Sequence, residues 1–294
     1  MPVFRRRAAA DQPPIDGGVE PPAGGVTITL DYPVAPRSRF GHGLPTHPLL
    51  LERLRAGDDR YRARLEGIAL LADDLATIPV HGDGLPEHEP RWWNGWIPGL
   101  DAAALYSLLV HERPCTYMEV GSGNSTSFAR RAITDHDLPT KIVSIDPHPR
   151  AAIDAICDEV LRSPVEDVDL AVFERLQPGD VLFVDNSHRA LQNSDATVLF
   201  MEVLPSLPAG VHVQFHDIFL PDDYPDAWND RYYSEQYVLA AFVLGGDAVF
   251  DTHLPCWYVA HHAADLAAIV APLFARLPGA ERHGNSFWVV TKAR

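Results

Sequence analysis

Three cysteines in 294 residues, Cys115, Cys157 and Cys256, are too few and too scattered for a disulfide framework, and no pair has zinc-finger or CxxC spacing. They read as reduced thiols of an intracellular protein. No apolar run approaches the roughly 20 uninterrupted residues that a bilayer span requires. The one arginine cluster, Arg5 to Arg7, is followed by alanines and Asp11 instead of the apolar core of a secretory signal. A cytoplasmic protein with no membrane partner is expected. Basic charge is scarce: 24 Lys and Arg stand against 40 Asp and Glu, a formal net charge of −16. Such a field repels phosphate backbones, so no nucleic-acid partner is expected. No internal repeat is visible, which sets aside solenoids and propellers.

What is present is an ordinary globular composition, 46% hydrophobic, long enough for one large domain with an appendage. Residues 1–40, rich in Pro, Gly and Ala without apolar periodicity, read as a flexible leader. Residues 41–112 read as a helical amino-terminal cap. Leu49, Leu50, Leu54, Tyr61, Leu65, Ile68, Leu71 and Leu75 recur at helical spacing, with a break near Gly57, and Asp101 is positioned to cap a further helix ending before Pro114. From 113 to 294 short apolar runs alternate with helical stretches. Thr116 to Val120, Lys141 to Ile145, Val181 to Val184 and Val211 to Phe215 read as buried strands, and a third strand in chain order is expected near Leu161 to Val165. Helices are expected near 125–134, 150–161, 194–206 and 263–276, with tail strands at Ala248 to Thr252 and Ser286 to Thr291. This alternation predicts a wound, mostly parallel α/β sheet.

The first strand runs through Glu119 into Gly121-Ser122-Gly123 and then into a helix. Such a turn brings bare main chain and free helix-start N–H groups to a ligand, although a lone Gly-x-Gly also serves as a plain tight turn. The second strand ends in Asp146, where a carboxylate grips a ribose diol. The third glycine of a nicotinamide fingerprint is missing, with Thr126 in its place. Glu119, just before the turn, suits a cationic ligand better than a pyrophosphate.

With the segments E-V-G-S-G-N-S-T, S-I-D-P-H-P, G-D-V-L-F-V-D-N-S-H and F-H-D-I-F, the chain resembles the class I S-adenosylmethionine-dependent methyltransferases of small-molecule O-methyltransferase type over roughly residues 98–294. The resemblance implies a Rossmann-like three-layer sandwich whose seven-stranded sheet ends in a reversed hairpin strand. It implies S-adenosyl-L-methionine as cofactor, with Glu119, Gly121, Ser122 and Gly123 at its methionine part, Asp146 at the ribose, Glu166 or Asp167 at the adenine, and Asp185 nearby.

The fourth and fifth strands end in Asp185-Asn186-Ser187-His188 and His216-Asp217, and in a wound sheet these tips converge on the ligand crevice. His188, His216 and Asp217 are the candidate catalytic residues, a histidine removing the proton from a hydroxyl acceptor. With Asp185, Asn186 and Asp217 the same tips resemble those of catechol-type O-methyltransferases, where oxygen ligands hold a divalent metal, and His188 and His216 are a departure from that pattern. Asp185, His188, His216 and Asp217 are therefore also candidate metal ligands, and the nitrogen donors favour Mn, Fe, Co or Zn over Mg. The aromatic, acidic loop 220–233 reads either as a lid over substrate or as a segment pinned by Tyr224, Trp228 and Tyr232. Trp92, Trp93 and Trp96 read either as walls of an acceptor pocket or as packing. A small-molecule acceptor is the expected partner, and the amphipathic appendage is suited to a homodimer. Two rival functions stand beside this one: a metal-dependent oxygenase or hydrolase built on the His/Asp cluster, and a non-catalytic binding protein on the same fold.

Overall fold

The computed structural model describes residues 31–32, 34–149, 152–246 and 248–293. Most of the expected leader, residues 1–30 and 33, lies outside the described residues. The end of that expected leader is tied down instead of free: Ser38 Oγ donates to the Tyr224 carbonyl (3.0 Å), and the Arg39 and Phe40 amides both donate to Asp223 Oδ2 (2.6 and 2.9 Å).

Seven strands form one sheet in the order β3-β2-β1-β4-β5-β7-β6. They are β1 (Thr116–Val120), β2 (Lys141–Ile145), β3 (Glu159–Leu161), β4 (Val181–Val184), β5 (His212–Phe215), β6 (Phe250–Pro255) and β7 (Phe287–Thr291). All pairs from β3 to β5 are parallel, and β7 enters antiparallel between β5 and β6. The central strands are buried on both faces, which is why they read as continuous apolar runs without alternation. Alternate residues face opposite layers. Phe215 stacks on Phe200 on one side, while Phe183 meets Tyr117 and Trp288 on the other.

The helices are α1 (Pro48–Arg55), α2 (Asp58–Leu70), α3 (Ala72–Leu75), α4 (Gly99–Glu112), α5 (Asn124–Asp135), α6 (Asp195–Val198), α7 (Leu204–Ser206), α8 (Glu235–Leu244), α9 (Cys256–His262) and α10 (Ala264–Ala275). Gly57 separates α1 from α2, whose apolar stripe, Tyr61, Leu65 and Ile68, is fully buried. That stripe packs on α4, α10 and β6, so the amino-terminal helices share the core of the sheet. A π turn, Leu199–Val203, joins α6 to α7. Among the described residues no single helix is long and apolar enough to cross a membrane. The pair α9 and α10 together have that length but are bent by 100°, and α10 buries Leu266, Val270, Leu273 and Phe274.

Several local expectations shift. Among the described residues, 152–161, the stretch expected as helix at 150–161 holds a short 3-10 turn, Asp154–Ile156, and then β3. Pro147 and Pro149 supply no N–H and bias their predecessors toward extended backbone, which works against a helix start there. β3 itself lies upstream of its expected place, because Pro164 cannot donate to a ladder and leads into another 3-10 turn, Val165–Asp167. β6 runs further than expected, through a bulge between Thr252 and Leu254. Asp101 does not cap a helix: α4 begins at Gly99 after Pro98, and Asp101 is fully buried.

Candidate active site

The strand order reverses between β1 and β4, and there the crevice opens beyond the carboxyl ends of the strands. Gly121 has φ +82°, and a Cβ on it would run into the carbonyl oxygen of Asp185, so backbone and neighbour both demand glycine. Gly123 is different. Its φ of 178° suits any residue, and a Cβ there would meet nothing within 4 Å. What its missing side chain leaves is bare main chain facing the crevice.

Asp146, at the tip of β2, is drawn to this turn. Its Oδ2 accepts from the Ser122 amide (2.8 Å) and its Oδ1 from the His148 amide (2.7 Å). Each oxygen keeps a lone pair for a ligand hydroxyl. Ser122 Oγ is held by Ser144 Oγ at 2.7 Å. Glu166 sits further out, half-buried in the 3-10 turn that follows β3.

Glu119 corrects an expectation. Its carboxyl group has no exposure and accepts from the Ser125 and Thr126 hydroxyls at the start of α5 and from the Tyr117 hydroxyl (3.0 Å). Burial pushes its pKa up to about 8, against the pull of those three donors. The side chain anchors the helix start to the strand.

At the tips of β4 and β5, Asp185, His188, His216 and Asp217 come together. His188 Nε2 lies 3.2 Å from Asp185 Oδ1 and 3.4 Å from Asp217 Oδ2, while its Nδ1 donates to Glu235 Oε2 at 2.9 Å. His216 Nδ1 lies 3.6 Å from Asp185 Oδ1 and 3.5 Å from Asp217 Oδ1, and its buried Nε2 faces Asp101 Oδ2 at 3.5 Å. Both rings thus turn one nitrogen to the Asp185/Asp217 pair and the other to a fully buried carboxyl group. Asp101 is fixed in turn by the Asn285 and Ser286 amides (2.8 and 2.9 Å), and Asn285 Nδ2 donates to Asp217 Oδ1 at 2.9 Å.

This charge arrangement sets the protonation states. Burial disfavours both imidazolium ions, but the surrounding carboxylates outweigh it and raise both pKa values well above the ordinary histidine value. Burial likewise opposes ionisation of Asp185, yet His216 and His188 hold it well below the usual carboxylate range. His188 and Asp217 have φ of 58° and 56°, left-handed values that cost non-glycine residues on the order of 1–3 kcal/mol and cluster at functional sites. Asp185, His216 and Asp217 each offer a donor atom within 4.8 Å of the others, a set able to hold a metal ion; His188 is outside that set, with one nitrogen committed to Glu235.

The crevice joins the two halves. Its enclosed part, about 30 Å³, has Trp96, Ser122, Gly123, Asp185 and His216 among its walls. The tryptophans divide their roles: Trp92 is buried against Phe128 and Phe274, Trp93 is exposed, and Trp96 walls the crevice. In the loop after β5, Phe219, Tyr224, Trp228 and Tyr233 pack on one another, and Tyr233 lies against His188 at 4.7 Å. These rings pin the loop.

Residues 118–218 match the family model of a methyltransferase domain. The matched segment is about a third of the chain. It spans the first strand's end, the glycine turn and both strand tips, so the likeness to a methyltransferase domain lies around the crevice just described. An uncharacterized protein of Archaeoglobus fulgidus is 33% identical over 90 residues, 29% of this chain and 41% of that relative, so the match spans under half of its length. Among solved structures, the Podospora anserina methyltransferase PaMTH1 bound to SAH is 16% identical, with 66% of this chain and 79% of that one covered at a TM-score of 0.40. The plantazolicin methyltransferase BpumL in complex with SAH is 10% identical, with 83% and 100% covered at a TM-score of 0.40.

Three polar residues at the strand tips carry almost no sequence signal for their place there: the spacing points to Asp101 as a helix cap, and Glu235 and Asn285 have partners far away in the chain. The one available signal was an acid at the start of each of two apolar helices.

Proposed function

We propose that this protein transfers a methyl group from S-adenosyl-L-methionine to an oxygen of a small-molecule acceptor. The observation that carries the reading is one crevice walled both by the bare main chain of Ser122 and Gly123 and by Asp185 and His216. The donor set fits the cofactor: Gly123 leaves space that a side chain would fill, and Asp146 offers free lone pairs to ribose hydroxyls. Gly121 and Ser122 set the turn. Methyl transfer from a sulfonium is an in-line displacement, so alignment of donor and acceptor supplies most of the acceleration. The cofactor, when bound, supplies the electrophilic methyl group.

The acceptor's proton is the second requirement. His216 and His188 each face Asp185 and Asp217 with one nitrogen, and Asp101 and Glu235 hold the opposite nitrogens, as carboxylates do behind metal-bound histidines. Asp185, His216 and Asp217 would hold a divalent cation, which would displace the proton that the surrounding carboxylates otherwise keep on His216 and would supply a lowered pKa to a bound hydroxyl. His188 then keeps Asp185 and Asp217 in place.

The test is formation of S-adenosylhomocysteine from S-adenosylmethionine with a panel of phenols, sugars and hydroxy acids, with Mn²⁺, Mg²⁺ or EDTA present. Product that requires both an oxygen acceptor and a divalent cation is the expected result. Activity undiminished by EDTA would return the base role to His216 or His188, and oxygen consumption without sulfonium cofactor would favour the oxygenase rival.

A further inference from the structure

The rings that pin the loop after β5 are themselves held from outside by the chain ahead of α1. Asp223 is the centre of that hold. Its Oδ2 accepts from the Arg39 and Phe40 amides, its own amide donates to the Phe40 carbonyl (3.1 Å), and its Oδ1 accepts from the Tyr237 hydroxyl on α8 (3.1 Å). Further along the loop, Asp226 Oδ1 accepts from the Ser38 amide (3.0 Å) and lies 2.9 Å from the Ser38 hydroxyl. From Asp223 two routes lead to the strand tips. One passes through the neighbouring Tyr224, whose ring packs on Tyr233 (5.8 Å), the ring that lies against His188. The other passes through α8, which carries both Tyr237 and Glu235, the acceptor of the His188 Nδ1–H. At the start of that helix the Ser234 and Glu235 amides also donate to the His188 carbonyl (2.8 and 3.1 Å).

The hold consists mostly of main-chain and polar contacts. No side chain of residues 34–40 is buried: Val34 is 54% exposed and Phe40 half-buried. Hydrogen bonds of this kind are exchanged against bonds to water and contribute little net free energy, so such a segment opens locally far more easily than the sheet unfolds. The joint lies at Gly41, φ +73°, which passes so close to Asp222 that a Cβ would collide with its carboxyl group. Beyond it the His47 amide is tied to the Pro221 carbonyl (3.4 Å). We propose that residues 34–40 form a latch on the candidate active site. Docked, the latch holds the 219–233 loop and the first turn of α8 against His188. Undocked, it swings about Gly41 to Gly43 and frees both while the sheet stays folded. The latch is independent of the reaction assigned above, because it sets the order of His188 and the loop whatever chemistry they serve.

The experiment is amide hydrogen exchange, followed by mass spectrometry, on the full chain and on a Ser38→Asp/Arg39→Pro double variant. The first change sets a carboxylate against Asp226, the second deletes an amide donor to Asp223, and neither alters the loop. Amides of residues 219–235 are expected to lose at least tenfold in protection, with those of β1 and β4 unchanged. The ring Nδ1–H of His188, followed by proton NMR, should likewise exchange with water at least tenfold faster. Arg37→Ala, at an exposed position of the same segment, should leave all of these as they are. Unchanged protection of 219–235 in the folded double variant would overturn the proposal, because the loop would then hold without the latch. So would an equal loss in β1 and β4, which would make the segment part of the global fold, and so would an unaltered His188 ring proton.

Discussion

The two halves of the crevice are built in different ways. Around the glycine turn the partners are close in the chain: Ser122 reaches Asp146 across 24 residues, and Glu119 is satisfied by Ser125 and Thr126 within the next turn. At the strand tips they are remote. His188 depends on Glu235, 47 residues on, and Asp101 is fixed by Asn285 across 184 residues. The first half is one strand-turn-helix unit whose shape is local, while the second exists only when the whole sheet has closed. Substitutions in the two halves should therefore fail differently.

The largest effect is expected at Glu235. Glu235→Leu leaves the buried Nδ1–H of His188 without an acceptor while Asp185 and Asp217 still face Nε2, and should cost about 3–5 kcal/mol in urea unfolding, whereas adding His188→Leu should recover part of the loss. A neutral Glu235→Leu would break the contrast, because the cluster would then need no distant support. Next come the two glycines. Gly121→Ala, strained at φ +82° and driven against Asp185, should destabilise by about 3 kcal/mol or more. Gly123→Ala should change stability by less than about 1 kcal/mol, yet weaken S-adenosylmethionine about tenfold in calorimetry. Equal behaviour of the pair would remove the argument that Gly123 is kept bare for a ligand.

The smallest effect concerns Glu119 and pH. Its folded pKa, about 8, lies above the unfolded value of 4.5, so the native state binds an extra proton between the two. The resulting stabilisation is full below the unfolded pKa and is lost as pH rises through about 8. Glu119→Gln should flatten the fall in unfolding temperature from pH 5 to 9 by at least about 2–4 °C, the shift that roughly 1 kcal/mol gives in a domain of comparable size. An identical slope in wild type and variant would mean that Glu119 is ionised throughout.

What could be read from sequence follows the same division. β1, β2 and β4 are bounded as their apolar runs are, because each is a short, fully buried strand stopped by a turn or a carboxylate. The glycine turn and Asp146 were legible since each lies at the end of such a strand. Asp185, His188, His216 and Asp217 were legible as strand-tip residues, but their orientation was not, because Asp101, Glu235 and Asn285 reach them only through tertiary packing. Glu119 misled for a related reason. A carboxylate beside a ligand turn and one buried beneath it have the same sequence, and only the hydroxyls of Ser125 and Thr126 decide between them.

The central claim is that the turn at Gly121 to Gly123 and the carboxylate of Asp146 hold one nucleoside cofactor. Calorimetric titration of the wild-type chain and of Asp146→Ala with S-adenosylmethionine tests it most directly. The account predicts one site per chain, with affinity at least tenfold lower in the variant and the unfolding temperature of the variant measured alongside to establish folding. No saturable binding to the wild type, or equal affinity in a folded Asp146→Ala, would contradict it.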